Sequence, residues 1–80
     1  MENEISFDAE LDARGLICPL PVLKLRKRLQ ALTPGQVMRV IADDPVAVVD
    51  IPHFCSEAGH TLLESAVDGV EQVYFIRKTG

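Results

Sequence analysis

The stretch Ile5-Ser6-Phe7-Asp8-Ala9-Glu10-Leu11-Asp12-Ala13-Arg14-Gly15-Leu16-Ile17-Cys18-Pro19-Leu20-Pro21 changes its hydrophobic period midway, and that change decides the fold class. From Ile5 to Asp12 the residues alternate, with Ile5, Phe7, Ala9 and Leu11 on one side and Ser6, Asp8, Glu10 and Asp12 on the other. A period of two predicts a strand with one wet face. Ala13-Arg14-Gly15 reads as a turn. Pro19 and Pro21 then mark a helix start, because proline is tolerated where the N–H groups have no helical partner. The helix begins at either proline, since proline disfavours helical geometry in the residue before it. Val22, Leu25, Leu29 and Leu32 follow at steps of three and four, which makes one apolar stripe, with Lys24, Lys27 and Arg28 largely on the other side. Thr33-Pro34-Gly35 ends it.

Working outward, Val37 to Ala42 is apolar and β-branched with Arg39 its only charge, the pattern of an interior strand covered on much of both faces. Asp44 as N-cap and Pro45 as first helical residue predict a second helix with the stripe Val48, Ile51, Cys55 and Ala58. Pro52 predicts a kink in it or two short pieces, and Gly59 its stop. Thr61 to Val67 and Val70 to Arg77 flank Asp68-Gly69, a hairpin signal. The order is β-α-β-α-β-β. Its economical packing is a two-layer α/β sandwich, a four-stranded mixed sheet with both helices on one face. The charged side of the first strand then faces water.

The 80 residues form a single domain over positions 1–80, one that hides roughly 63% of its unfolded surface. A net charge of −4 argues against a general nucleic-acid or acidic-membrane binder, and direct nucleic-acid binding is not expected. No apolar run approaches the roughly 18 residues that span a bilayer. Two cysteines are too few for a disulfide framework, and the acidic start MENEISFDAE is unlike a signal peptide. The expectation is a cytoplasmic monomer with reduced thiols.

Cys18 is the informative residue, at a junction between a strand and a helix start. Free N–H groups there, chiefly those of Leu20 and Val22, and the helix dipole favour an anion, so the expected thiol pKa lies below its reference value. The competing reading is a small hydrophobe that fills the loop. Cys55 shares the second helix's apolar stripe, so packing explains it. A Cys18 to Cys55 disulfide requires a proximity that sequence does not establish, and without a Cys-x-x-Cys motif dithiol chemistry is not indicated. His53, His60, Cys18 and Cys55 lack the paired spacings of zinc sites, so neither metal nor cofactor is expected. A Cys-His hydrolase needs a shaped pocket and a third orienting group. Lys24, Arg26, Lys27 and Arg28 form the basic cluster, which reads as a solvated face or as a docking surface.

Leu11-Asp12-Ala13-Arg14-Gly15-Leu16-Ile17-Cys18-Pro19-Leu20-Pro21 closely resembles the TusA family of sulfur carriers, also called SirA-like. Ile41-Ala42-Asp43-Asp44-Pro45, Asp50-Ile51-Pro52, Phe54-Cys55 and Gly59-His60 extend the likeness over nearly the whole chain. The resemblance implies a sandwich similar to the C-terminal domain of bacterial initiation factor 3. It also implies that Cys18, in the Cys-Pro-x-Pro motif with Pro19 and Pro21, receives sulfur as a persulfide. A cysteine desulfurase or rhodanese-like protein is the donor implied, and another sulfur-handling protein the downstream acceptor. Members assigned to tRNA 2-thiouridine synthesis tend to have a basic residue before the cysteine and an acidic one between the prolines. Here Ile17 and Leu20 stand there, so tRNA thiolation, molybdenum-cofactor assembly and sulfur oxidation all stay open. Lys24, Lys27 and Arg28, with Leu16, Ile17 and Leu20 around the sulfur, are the expected docking residues. Such a chain is a sulfurtransferase-type carrier that acts only with partners. The alternative is a regulatory or interaction module that binds protein or RNA through the basic face of the first helix.

Overall fold

The computed structural model describes residues 5–80. Its elements are β1 (Ala9–Asp12), α1 (Leu20–Leu29), β2 (Val37–Ala42), α2 (Ala47–Ala58), β3 (Thr61–Asp68) and β4 (Glu71–Arg77). The sheet order is β1-β2-β4-β3. β1 runs parallel to β2, while β4 is antiparallel to both β2 and β3. Inward residues of three strands, Leu11, Met38, Val40, Ala42, Tyr74 and Ile76, pack with the helices into one core. From α1 come Leu25 and Leu29, and from α2 come Ala47, Ile51, Phe54 and Cys55. Both helices therefore cover one face of a four-stranded mixed sheet, as the β-α-β-α-β-β pattern requires.

Four local expectations are corrected. β1 begins at Ala9 and not at Ile5. The Asp8 carboxylate accepts the Val37 N–H at 2.8 Å, and the Asp8 N–H bonds the Val37 carbonyl at 2.8 Å. A side chain has taken a place in the ladder, so the alternation breaks there. Phe7 consequently lies away from the side of Ala9 and Leu11, 6.1 Å from Phe75 on the uncovered face, with the Arg39 guanidinium 5.8 Å from its ring centre. Arg39 is also paired with Glu10.

α2 starts two residues late. The Ala47 N–H bonds the Asp44 carbonyl at 2.9 Å and the Val49 N–H the Val46 carbonyl at 3.0 Å, a tight turn that precedes the α-helix. The buried stripe is therefore Ala47, Ile51, Phe54 and Cys55, while Val48 and Ala58 are exposed. Pro52 lies inside one continuous helical span and splits nothing. It deprives the Val48 carbonyl of a donor near the N-terminus, where Val48 is open to water. At the hairpin, the strands extend to Asp68 and from Glu71, so the loop is Gly69-Val70. Gly69, at φ 66°, takes the first loop position because glycine adopts positive φ without a steric penalty.

Candidate functional site

Parallel β1 and β2 end at the same edge of the sheet, and β4 begins there, because Ala42 pairs with Gln72. The Cys18 loop, the Asp43-Asp44 turn, the start of α2 and the β3–β4 hairpin tip consequently gather at one end of the sandwich. Two backbone donors tie the Cys18 loop down. The Gly15 N–H bonds Asp43 Oδ1 at 3.0 Å, and the Cys18 N–H bonds Asp44 Oδ2 at 2.8 Å. Asp44 is itself only 9% exposed. Its carbonyl accepts the Gln72 side-chain amide at 2.9 Å, and Gln72 Oε1 accepts the Tyr74 hydroxyl at 2.6 Å. A buried polar chain thus runs from the core to the backbone that carries the sulfur, and satisfied networks of this kind are rigid.

Cys18 precedes α1, whose N-cap is Pro19, with Pro21 in the first turn. The Cys18-Pro19 peptide bond is cis. The thiol is exposed, whereas Cys55 is buried, and both are free. Core burial pushes the Cys55 thiol up to about 11. At Cys18 the expected acidification is reversed. The thiol hydrogen-bonds the Asp50 carboxylate, which with desolvation and the charges of Asp50 and Asp44 raises its pKa. Of the two anticipated donors, the Leu20 N–H is used by the Ile17 carbonyl at 2.8 Å. Two carboxylates near an unsatisfied helix start outweigh the dipole. In the isolated chain Cys18 is an accessible thiol with a raised pKa, on a loop held by Asp43 and Asp44.

Of the other expected site residues, Ile17 is 67% exposed and Leu20 47%, while Leu16 leans partly into the core. Lys24 and Lys27 are exposed on α1, and Arg28 donates to the Glu10 carbonyl at 3.1 Å. His53 is exposed, 3.9 Å from Glu57. His60 sits beside Phe54, and its Nδ1 accepts the Thr79 N–H at 3.2 Å. Neither histidine takes part in the hydrogen bonds that tie down the Cys18 loop.

Between the helices, Pro19, Val22, Arg26, Asp50, His53, Phe54 and Glu57 line an open groove of about 300 Å³. Arg26 lies over the Phe54 ring at 5.5 Å, so a residue expected in a solvated basic cluster instead forms a wall of this groove. Sequence reasoning missed Asp50 as a neighbour of the sulfur, and read Asp44 only as a helix cap. The available signal was the second matched segment, Asp43-Asp44-Pro45 with Asp50-Ile51-Pro52. Only the parallel pairing of β1 with β2 shows that it meets the first.

A SirA-like protein from Desulfitobacterium hafniense has the same fold, with a TM-score of 0.72 at 22% identity over 91% of this chain and all of that one. The sulfur carrier protein TusA of Allochromatium vinosum is 47% identical over 73 residues, which span 91% of this chain and 96% of the relative. Residues 9–78, from the first residue of β1 to just past β4, match the family model described as Sulfurtransferase TusA. A match that includes every element of the sandwich and the Cys18 loop, joined to that identity, establishes that the chain belongs to the TusA family.

Proposed function

We propose that this protein is a sulfur carrier in which Cys18 takes up a sulfane sulfur, holds it as a persulfide and passes it to a partner thiol. The observation that carries the reading is an exposed thiol on a loop pinned by Asp43 and Asp44 and presented at the end of the sandwich. A thiol so displayed suits a site completed by another protein. In loading, the Cys18 sulfur attacks the outer sulfur of a donor persulfide. The donor S–S bond breaks, the new S–S bond forms on Cys18, and the thiol proton leaves with the donor sulfur. Delivery repeats the exchange in the other direction, so neither step needs an oxidant or a reductant. The raised pKa of Cys18 lowers the thiolate fraction of the free carrier, and a partner that shields Asp50 raises it.

A cysteine desulfurase or a rhodanese-like protein is the proposed donor, engaged through the exposed Ile17 and Leu20 and the Lys24, Lys27 and Arg28 side of α1, with Leu16 supporting the rim. The acceptor is a second sulfur-handling protein in tRNA thiolation, molybdenum-cofactor assembly or sulfur oxidation. The name carried by the Allochromatium relative, and its 47% identity, support the carrier role. Intact mass after incubation with a cysteine desulfurase and cysteine tests it. One added sulfur that maps to Cys18 is expected, and an unchanged mass with the fold intact refutes it in favour of a docking-only role.

A further inference from the structure

The end of the sandwich that presents Cys18 has a charge unlike that of the rest of the chain. Its segments 12–18, 43–50 and 67–72 contain Asp12, Asp43, Asp44, Asp50, Asp68 and Glu71 against one cation, Arg14. Arg14 is committed to Asp12 at 2.9 Å and Glu71 at 3.4 Å. This end is therefore more negative than the whole protein, whose net charge is −4, while the basic residues of α1 lie along a flank.

Set into this acidic end is an apolar groove of about 330 Å³, on the other flank of the α2 start from the groove between the helices. Pro45, Val48, Val49, Val67 and Val70 form its walls, with Asp43 at its margin. Val49, Val67 and Val70 are 68, 61 and 76% exposed, which is costly for aliphatic side chains with no structural task in the isolated chain. Asp43 also joins the groove to the sulfur loop through its bond with the Gly15 N–H. A partner seated here is therefore next to the loop that carries Cys18.

We propose that this valine groove, with Asp43 in its lining and set in the acidic end of the sandwich, is a docking surface for one of the two proteins that exchange sulfur with Cys18, a partner that presents an aliphatic side chain flanked by lysine or arginine. The inference rests on the carrier reading and extends it by naming the chemistry of a partner surface. Charge complementarity decides the occupant. An acidic partner is repelled by this end of the chain, and an uncharged apolar one leaves Asp43 without a counter-charge at a desolvated contact. A second copy seated through the same end is repelled as an acidic partner is.

Short peptides ending in cysteine, activated as an aryl mixed disulfide, test the surface without any persulfide chemistry. The Cys18 sulfur attacks the peptide sulfur, the S–S bond to the aryl group breaks, and a coloured thiolate is released. The full chain with Cys55→Ser, a single-thiol protein, is mixed with Lys-Leu-Lys-Cys, Glu-Leu-Glu-Cys or Lys-Ser-Lys-Cys probes. At low salt the lysine–leucine peptide is expected to react about 10-fold faster than its glutamate counterpart, a preference that shrinks to about 2-fold at high salt. It should outpace the serine peptide at both salt concentrations. Val49→Ser with Val67→Ser, both at exposed positions, should remove the leucine preference, while Asp68→Lys with Glu71→Lys should reduce the lysine preference. Equal rates for all three peptides overturn the proposal, as does a preference that survives both sets of substitutions. A salt-sensitive dimer of the parent protein that disappears with Lys24→Glu and Arg28→Glu also overturns it, by assigning the acidic end to a second copy. Peptide selection without sulfur uptake from a desulfurase would refute the carrier reading and leave this surface standing, so the two failures are distinguishable.

Discussion

Asp44 joins the core of this protein to the loop that carries Cys18, and its replacement by alanine should reveal the strength of that link. The substitution removes the 2.8 Å bond from the Cys18 N–H to a nearly buried carboxylate, whereas the 3.4 Å approach of the Val46 N–H contributes little. A hydrogen bond to a charged group contributes about 1.5–3 kcal/mol. Release from holding a charge in a desolvated position offsets part of this, which leaves a net loss of about 1–2 kcal/mol. For a chain of this size each kcal/mol corresponds to about 6 °C, so Asp44→Ala should melt about 6–12 °C below the parent by circular dichroism. Asp44→Asn keeps a neutral acceptor for the Cys18 N–H and should lose less than about 1 kcal/mol. It also removes one of the charges that raise the Cys18 pKa, so the pH profile of alkylation should move to lower pH. The two substitutions separate a positioning role from an electrostatic one. Equal melting of Asp44→Ala and the parent, or an asparagine variant as unstable as the alanine one, would refute the reasoning.

Asp50→Asn removes the carboxylate that accepts the thiol proton, so the apparent pKa of Cys18 should fall and alkylation at neutral pH should speed up; an unchanged or raised profile contradicts the geometry. Cys18→Ser should stay folded and accept no sulfur, whereas Cys55→Ser should still accept it while losing about 1–2 kcal/mol for a hydroxyl placed in the core. Mass spectrometry and urea unfolding distinguish the two, and equal loss of transfer in both folded variants would require a second participating thiol. Arg14 holds Asp12 down from its ordinary 3.8 to about 2, and a depressed acid stabilises the fold above its unfolded pKa and loses that effect as pH falls through its folded one. Arg14→Ala should therefore flatten the decline in urea midpoint between pH 3.8 and about 2, and a decline as steep as the parent's would exclude the pair from acid stability. Lys24→Glu with Arg28→Glu should slow association with a cognate desulfurase at low salt and weaken its salt dependence; unaltered rates would make that helix face a solvated surface only.

Period and punctuation alone determined the order of elements here. The alternation in β1, the three-and-four spacing of Val22, Leu25 and Leu29, and Gly69 at the hairpin are local features, and local backbone sterics and amphipathic burial convert them directly into strands, helices and turns. Cys18 was visible for the same reason, because two prolines mark the start of α1 in any context. Boundaries were less legible where a side chain substitutes for backbone. Asp8 pairs with Val37 and makes β1 start late, and the turn from Asp44 to Val46 delays α2 and changes its buried stripe.

The electrostatics of the sulfur depended on tertiary structure alone. The expectation of an acidic thiol used only the helix that follows Cys18, and that dipole is a property of neighbours in sequence. Asp44 and Asp50 lie 26 and 32 positions away. They reach the loop only because β1 and β2 pair in parallel and α2 begins where β2 ends. Charge acts through space with no regard for chain order, so the sign of the shift at Cys18 was decided by the packing of two strands and a helix, and no reading of residues 15–21 alone contained it.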